Sequence, residues 1–188
     1  MYRNSKVQFI IIFGILSFIA ISCNDTIVDP PPISNHIQNG SFENNDIPTL
    51  EGWRYGNQQL AELINDAPPN GGSWSLQLTA DWAPTTAFVY TPVLNVQSGD
   101  IVELSAFVLV KEYLGGSGII KLVSGPDINA ERSKSISSND SVWTQISLTD
   151  TLNLEPNDSL WVVLSAPITE IVPFKQLFDL VKLEKVSK

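Results

Sequence analysis

Between Asp100 and Lys111 every second side chain from Val102 to Val110 is apolar. Val102, Leu104, Ala106, Val108 and Val110 would share one face of an extended chain, with Glu103, Ser105, Phe107 and Lys111 on the other. A helix would scatter such a series around its axis, so a period of two demands a strand with one buried face. Trp74, Leu76 and Leu78 alternate with Ser75, Gln77 and Thr79 in the same way, and inward Leu160, Val162 and Leu164 turn Trp161 outward. The pattern predicts strands at about 37–42, 58–64, 73–80, 86–96, 100–111, 117–124, 142–149, 159–166 and 176–185. Turn chemistry separates them at Pro68-Pro69-Asn70-Gly71-Gly72, Ser98-Gly99-Asp100, Gly115-Gly116 and Pro156-Asn157-Asp158. That many short strands, with little helical spacing and no internal repeat, specify an all-β sandwich or jelly roll.

The N-terminus obeys different rules. Arg3 and Lys6 precede an apolar run from Val7 to Ile21, and Ala20-Ile21-Ser22 lead into Cys23, the only cysteine. A charged start, a short apolar stretch and a small-residue cleavage site make a secretory signal. The run is short of the roughly 20 apolar residues a membrane-spanning helix needs. The cysteine directly after the site resembles the lipobox of bacterial lipoproteins. That resemblance implies cleavage after residue 22, lipidation of Cys23 and anchoring in the outer membrane. Residues 23–36, with Asp25, Asp29 and Pro30-Pro31-Pro32, then form a stiff acidic tether, and 37–188 a single folded domain. The same resemblance implies that acidic residues just after Cys23 could serve as a cue for export to the cell surface.

Charge and missing residue types narrow the chemistry. The chain has formal charge −9, and loss of residues 1–22, which hold Arg3 and Lys6 and no acid, makes it −11. Nucleic acid is therefore not an expected partner. Roughly 165 residues beyond Cys23 suffice to bury a core without disulfides. His36, the only histidine, sits in the tether, so the folded body lacks the residues for Ser-His-Asp or Cys-His catalysis and for ordinary zinc sites. Asp81, Glu103, Glu112 and Asp127 are available as carboxylates, but no strand carries a compact acidic motif, so no enzyme is expected.

The last strand poses a problem of its own. Phe178, Leu180 and Lys182 alternate with Asp179, Val181 and Leu183. If Val181 and Leu183 face inward, Asp179 is carried in with them. A buried carboxylate costs several kcal/mol unless paired or metal-bound. Its partners can be Arg, Lys, backbone N–H groups or a hard cation such as calcium.

Four segments, in order, resemble one family. They are Asn39-Gly40-Ser41-Phe42-Glu43 with Gly52-Trp53, then Gly72-Ser73-Trp74-Ser75-Leu76-Gln77-Leu78, then Val96-Gln97-Ser98-Gly99-Asp100 running into Leu104-Ser105-Ala106-Phe107-Val108, and Phe178-Asp179-Leu180-Val181-Lys182-Leu183 after Trp143. Together they resemble the carbohydrate-binding modules of galactose-binding-like type that accompany xylanases and cellulases, over about residues 37–186. The resemblance implies a jelly-roll β-sandwich and a structural calcium ion. Its ligands would be Glu43, Asp179, the Ser41 carbonyl and one carbonyl within 70–73. Where the family has a second closing Asp this chain has Leu180. The resemblance implies a carbohydrate ligand, polysaccharide or glycan, but a fold does not choose its ligand.

Pyranose rings stack on exposed aromatics. Trp53, Trp143 and Trp74 are expected in the core, whereas Trp161 and Phe107 fall on faces opposite the apolar ones, and Trp82 and Tyr113 fall in loops. Trp161, Trp82, Tyr113 and Phe107 are thus the candidate sugar contacts, with Gln77, Glu103 and Arg54 as possible hydrogen-bonding neighbours. The reading from a different class is an envelope protein that binds a protein partner, with the apolar run Ile168–Phe178 contributing a patch.

Overall fold

The computed structural model describes residues 35–56, 60–80, 86–111, 116–167 and 174–186. The signal, Cys23 and most of the tether lie outside them. Within the described residues the chain is built of strands: β1 (Glu43–Asn44), β2 (Ile47–Pro48), β3 (Arg54–Tyr55), β4 (Ala61–Ile64), β5 (Ser75–Ala80), β6 (Ala87–Val93), β7 (Ile101–Lys111), β8 (Gly118–Gly125), β9 (Ser133–Ser138), β10 (Thr144–Thr151), β11 (Ser159–Ala166) and β12 (Phe174–Lys185). They form two five-stranded sheets, ordered β10-β7-β12-β5-β4 and β3-β6-β11-β8-β9, plus the small β1-β2 ribbon. The apolar positions of both sheets meet in one core. Leu76, Leu78, Leu104, Ala106, Val108 and Phe178 come from the first sheet, and Val89, Ile120, Leu122, Val162 and Leu164 from the second. The chain is an all-β sandwich, as the alternation requires.

The expected strand at 37–42 is instead a series of turns, with Asn39 and Phe42 at φ of 54° and 57°. Phe42 is pulled out of any alternation to be fully buried against Trp53, ring centroids 5.4 Å apart. Trp53, a core residue as expected, donates its indole N–H to the Asn39 carbonyl at 3.0 Å. Asn45 and Asp46, at φ of 51° and 63°, then turn β1 back onto β2, as a two-residue hairpin requires. β9 was not expected. Its sequence, Ser-Lys-Ser-Ile-Ser-Ser, carries no apolar alternation because an edge strand needs only backbone pairing, here with β8.

β12 also departs from simple alternation. Phe178 sits opposite Val108 in the core, and Asp179 opposite Phe107. The register then slips by one residue before Lys182 pairs with Ser105. Leu180, at φ of 49°, is the residue that absorbs the extra length. Phe178 is therefore a core residue together with Val181 and Leu183, which pure alternation forbids. The expected apolar patch at Ile168–Phe178 is corrected for its second half, since Phe174, Leu177 and Phe178 are buried; residues 168–173 lie outside the described set. Ser75 and Gln77, expected at the surface, are buried as well, with the Gln77 amide donating to Glu62 at 3.3 Å.

The bulge is gripped by the opening motif. Val181 N–H donates to the Gly40 carbonyl at 2.8 Å, and a Cβ on Gly40 would overlap the Val181 carbonyl. Gly40→Ala should therefore lower the unfolding free energy by about 1–3 kcal/mol, the usual cost of forcing atoms into a packed site. Urea denaturation of wild type and variant measures it; unchanged stability would mean that this contact relaxes freely.

Candidate functional site

Outward positions of the second sheet follow from its register. Phe88, Tyr90 and Pro92 of β6 stand beside Ser165, Val163 and Trp161 of β11. These stand beside Ile119, Lys121 and Val123 of β8, and those beside Ser137, Ser135 and Ser133 of β9. Arg54 of β3 lies opposite Tyr90. One row thus runs Arg54, Tyr90, Val163, Lys121, Ser135 across five strands.

The aromatics on this face touch. Phe88 and Tyr90 have ring centroids 6.1 Å apart, and Tyr90 meets Trp161 edge-on at 6.0 Å. All three rings are half-buried, over the fully buried core side of the same strands. Trp161 is held in place, because its indole N–H donates to the Gly125 carbonyl at 3.3 Å. Its own face remains partly open. At one end the row falls into an open depression of about 320 Å³ lined by Phe88, Lys121, Ile128, Asn129, Val163 and Ser165. At the other it meets a second depression bordered by Arg54, Pro92, Thr91 and Gln38. Aromatic planes flanked by hydroxyls and a guanidinium can stack on the apolar face of a sugar ring and hydrogen-bond its edge.

Of the expected contacts, Trp161 belongs to this row. Phe107 does not: it projects from the outer face of the other sheet, so no single site includes both. Trp82 and Tyr113 lie outside the described residues. Gln77 and Glu103 are also on the first sheet, where Trp143 and Lys111 both engage Asp66, the indole N–H at 3.3 Å. Phe88, Tyr90 and Lys121 are additions. Their signal was present, since Phe88, Tyr90 and Pro92 alternate with buried Ala87, Val89, Thr91 and Val93.

A second cluster forms where the opening and closing motifs meet. Asp179 is fully buried, and its Oδ1 accepts the Leu180 N–H at 2.7 Å. Its Oδ2 has no partner and lies against Gly71, where a Cβ would collide with it. Glu43 accepts the Ser73 N–H at 3.0 Å and presses on Gly72, whose φ of 80° and missing Cβ leave room for that carboxylate. Ser41 hydroxyl reaches the Glu43 carbonyl at 3.4 Å. Burial pushes the Asp179 carboxyl up to about 8, and the negative charge of Glu43 adds to this against the opposing Leu180 N–H. Neither Arg nor Lys pairs with Asp179 among the described residues, which removes the ion-pair alternative. An orphaned buried oxygen beside a second carboxylate and a glycine cradle is a donor set that fits a hard cation. Three or more acidic, His or Cys side chains do not converge among the described residues, so backbone oxygens or water would complete any such shell.

No protein-family model matches the chain, and no curated protein matches it significantly. Solved structures do resemble its fold. A family 61 carbohydrate-binding module, TmCBM61, solved with β-1,4-galactotriose, is 10% identical with TM-score 0.55, covering 81% of this chain and 99% of that one. A family 16 carbohydrate-binding module is 18% identical with TM-score 0.60, covering 79% and 99%. The CBM22-2 xylan-binding domain of Paenibacillus barcinonensis Xyn10C is 16% identical with TM-score 0.53, covering 81% and 98%. The sandwich is the one these modules share.

Without metal, the raised pKa of Asp179 gives stability a pH dependence of definite sign. Folding holds the proton on Asp179 up to about pH 8, whereas the unfolded chain releases it near 3.8. The folded state therefore binds the extra proton between those values, and stability falls as pH rises through them. Thermal melts in chelator should show wild type losing stability from about pH 5 to pH 8, and Asp179→Asn losing much less over that range. Parallel curves would refute the assignment.

Proposed function

We propose that this chain is a non-catalytic carbohydrate-binding protein, lipid-anchored through Cys23 to the outer membrane. The observation that carries this reading is the continuous, half-buried row Phe88–Tyr90–Trp161 on the outer face of the second sheet beside Arg54. An aromatic row on a sheet face suits a polysaccharide segment laid across the sheet better than a small molecule enclosed in a pocket. The likeness to modules solved with galactotriose or described as xylan-binding supports the same ligand class. The second sheet has no Asp or Glu in any of its five strands, so they supply no carboxylate pair for hydrolysis beside the aromatics. Binding without bond cleavage is the function this surface serves.

Glu43 and Asp179, with backbone oxygens near Ser41 and Gly71, would hold a calcium ion. The ion would neutralise the two carboxylates and tie the first turns of the domain to its last strand. It would act on stability, far from the sugar contacts on the second sheet. Calcium should raise the melting temperature of wild type at pH 8, and chelator should reverse the rise; Asp179→Asn should show neither. A wild-type melt indifferent to calcium would remove the metal from this account.

The sugar reading is tested by titrating the purified protein with galactan, xylan and glucomannan. Trp161→Ala should weaken binding by roughly thirtyfold or more, the scale of a central aromatic contact. Phe107→Ala should leave it unchanged, because that ring is on the other sheet. Loss of the Gly125 hydrogen bond will soften the Trp161→Ala protein, so a cooperative melt must accompany the binding data. A folded wild type that binds no polysaccharide overturns the proposal.

A further inference from the structure

The aromatic face is electrically unlike the rest of the molecule. The chain holds 20 acidic against 11 basic residues, yet β3, β6, β8, β9 and β11 contain no acid. They contain three bases, Arg54, Lys121 and Lys134. Lys134 is occupied at the sheet edge, where its ammonium bonds the Thr149 carbonyl and faces Asp150 at 3.8 Å. Arg54 and Lys121 pair with no acid among the described residues. Every strand of the first sheet except β5, in contrast, carries at least one acid, including Glu62, Glu103, Asp150 and Glu184.

The two unpaired cations are placed with respect to the aromatics. Arg54, Tyr90, Val163 and Lys121 occupy consecutive strands of one cross-strand row. Three interstrand spacings put the two backbone positions about 14 Å apart, one on each side of Tyr90 and Val163. Ser135 continues the row and Ser133 and Ser137 flank it, offering hydroxyls. The adjoining loop contributes Ile128 and Asn129 to the rim. Of that loop's carboxylates, Asp127 is turned onto the Asn129 N–H at 2.7 Å, and Glu131 is exposed to solvent. A neutral glycan needs no such arrangement. In a chain of charge −9, a polyanion is repelled by the molecule as a whole, so attraction must come from a local site.

Resting on the carbohydrate reading above, we propose that the ligand is an anionic polysaccharide, its carboxylate or sulfate groups met by Arg54 and Lys121 while its rings stack on Tyr90 and Trp161. Charge-assisted hydrogen bonds from a guanidinium and an ammonium give the anion its preference, and the aromatic row gives it register. The same face would discriminate against uncharged chains of identical backbone, which leave both cations without a counter-charge.

The test uses two matched pairs with the purified full-length protein: polygalacturonate against its fully methyl-esterified form, and a sulfated galactan against its desulfated parent. At least one anionic member should bind roughly tenfold more tightly than its neutral partner, and the difference should shrink in 0.5 M salt. Which pair responds tells carboxylate from sulfate. Arg54→Gln and Lys121→Gln should each weaken the anionic ligand by about three- to tenfold and narrow its advantage over the matched neutral partner. Equal affinity within both pairs, or binding confined to neutral glycans, overturns the anionic preference while leaving carbohydrate binding intact. Anion preference that survives the double substitution also overturns it, because recognition would then lie elsewhere. A folded protein that binds no polysaccharide, charged or neutral, fails the underlying function instead.

Discussion

The sandwich is closed by a carboxylate with nowhere to go. Asp179 is buried to zero exposure with one oxygen unpartnered, and everything around it is arranged to permit that. The slip in β12 delivers Asp179 to one side of the strand while keeping Phe178 and Val181 in the core on the other. Gly40 admits the Val181 backbone, Gly71 admits the Asp179 carboxylate and Gly72 admits Glu43. Gly40 and Gly71 are thus small for the sake of the C-terminal strand, and Gly72 for the Glu43 carboxylate. The opening and closing motifs are fitted to each other: each supplies space the other fills. A charge left unpaired there would oppose folding more strongly than one hydrogen bond could offset.

With that corner closed, the two sheets are free to differ on their outer faces. The first sheet buries much of its outer side around Ser75, Gln77 and Leu177, and carries the Trp143–Asp66–Lys111 contacts. The second keeps an open aromatic strip without acids. The division is physical: only a face not used for internal packing can be given over to a ligand, and flat sheets present repeating side chains at spacings a polymer can follow. The stabilising cluster and the aromatic strip are independent enough that their contributions can be separated by substitution.

Period-two patterning makes the long strands legible in the sequence alone. β7 and β11 run as their alternation requires, and the turn signals fall between elements. Patterning failed where burial was decided by something other than the facing sheet. Phe42 is buried by Trp53 across a turn, β9 is held by an edge ladder with no apolar requirement, and β12 is bent by a residue at positive φ that is not glycine. Leu180 carries no sequence mark of that conformation.

Composition and spacing by themselves determined a strand-built domain poor in histidine and thiol chemistry, an outward Trp161, and an Asp179 in need of explanation. Local alternation suffices for the strands and for Trp161 because it records which side of a strand meets water. Asp179 is buried as expected, but on the side opposite Val181 and Leu183, because the strand slips between them. Only the tertiary structure decided that Trp161 and Phe107 lie on opposite sheets, that Tyr90 and Phe88 join the former, and that Arg54 and Lys121 share its row. Those facts depend on which strands become neighbours, and strand order is set by closure of the whole core rather than by any segment's own pattern.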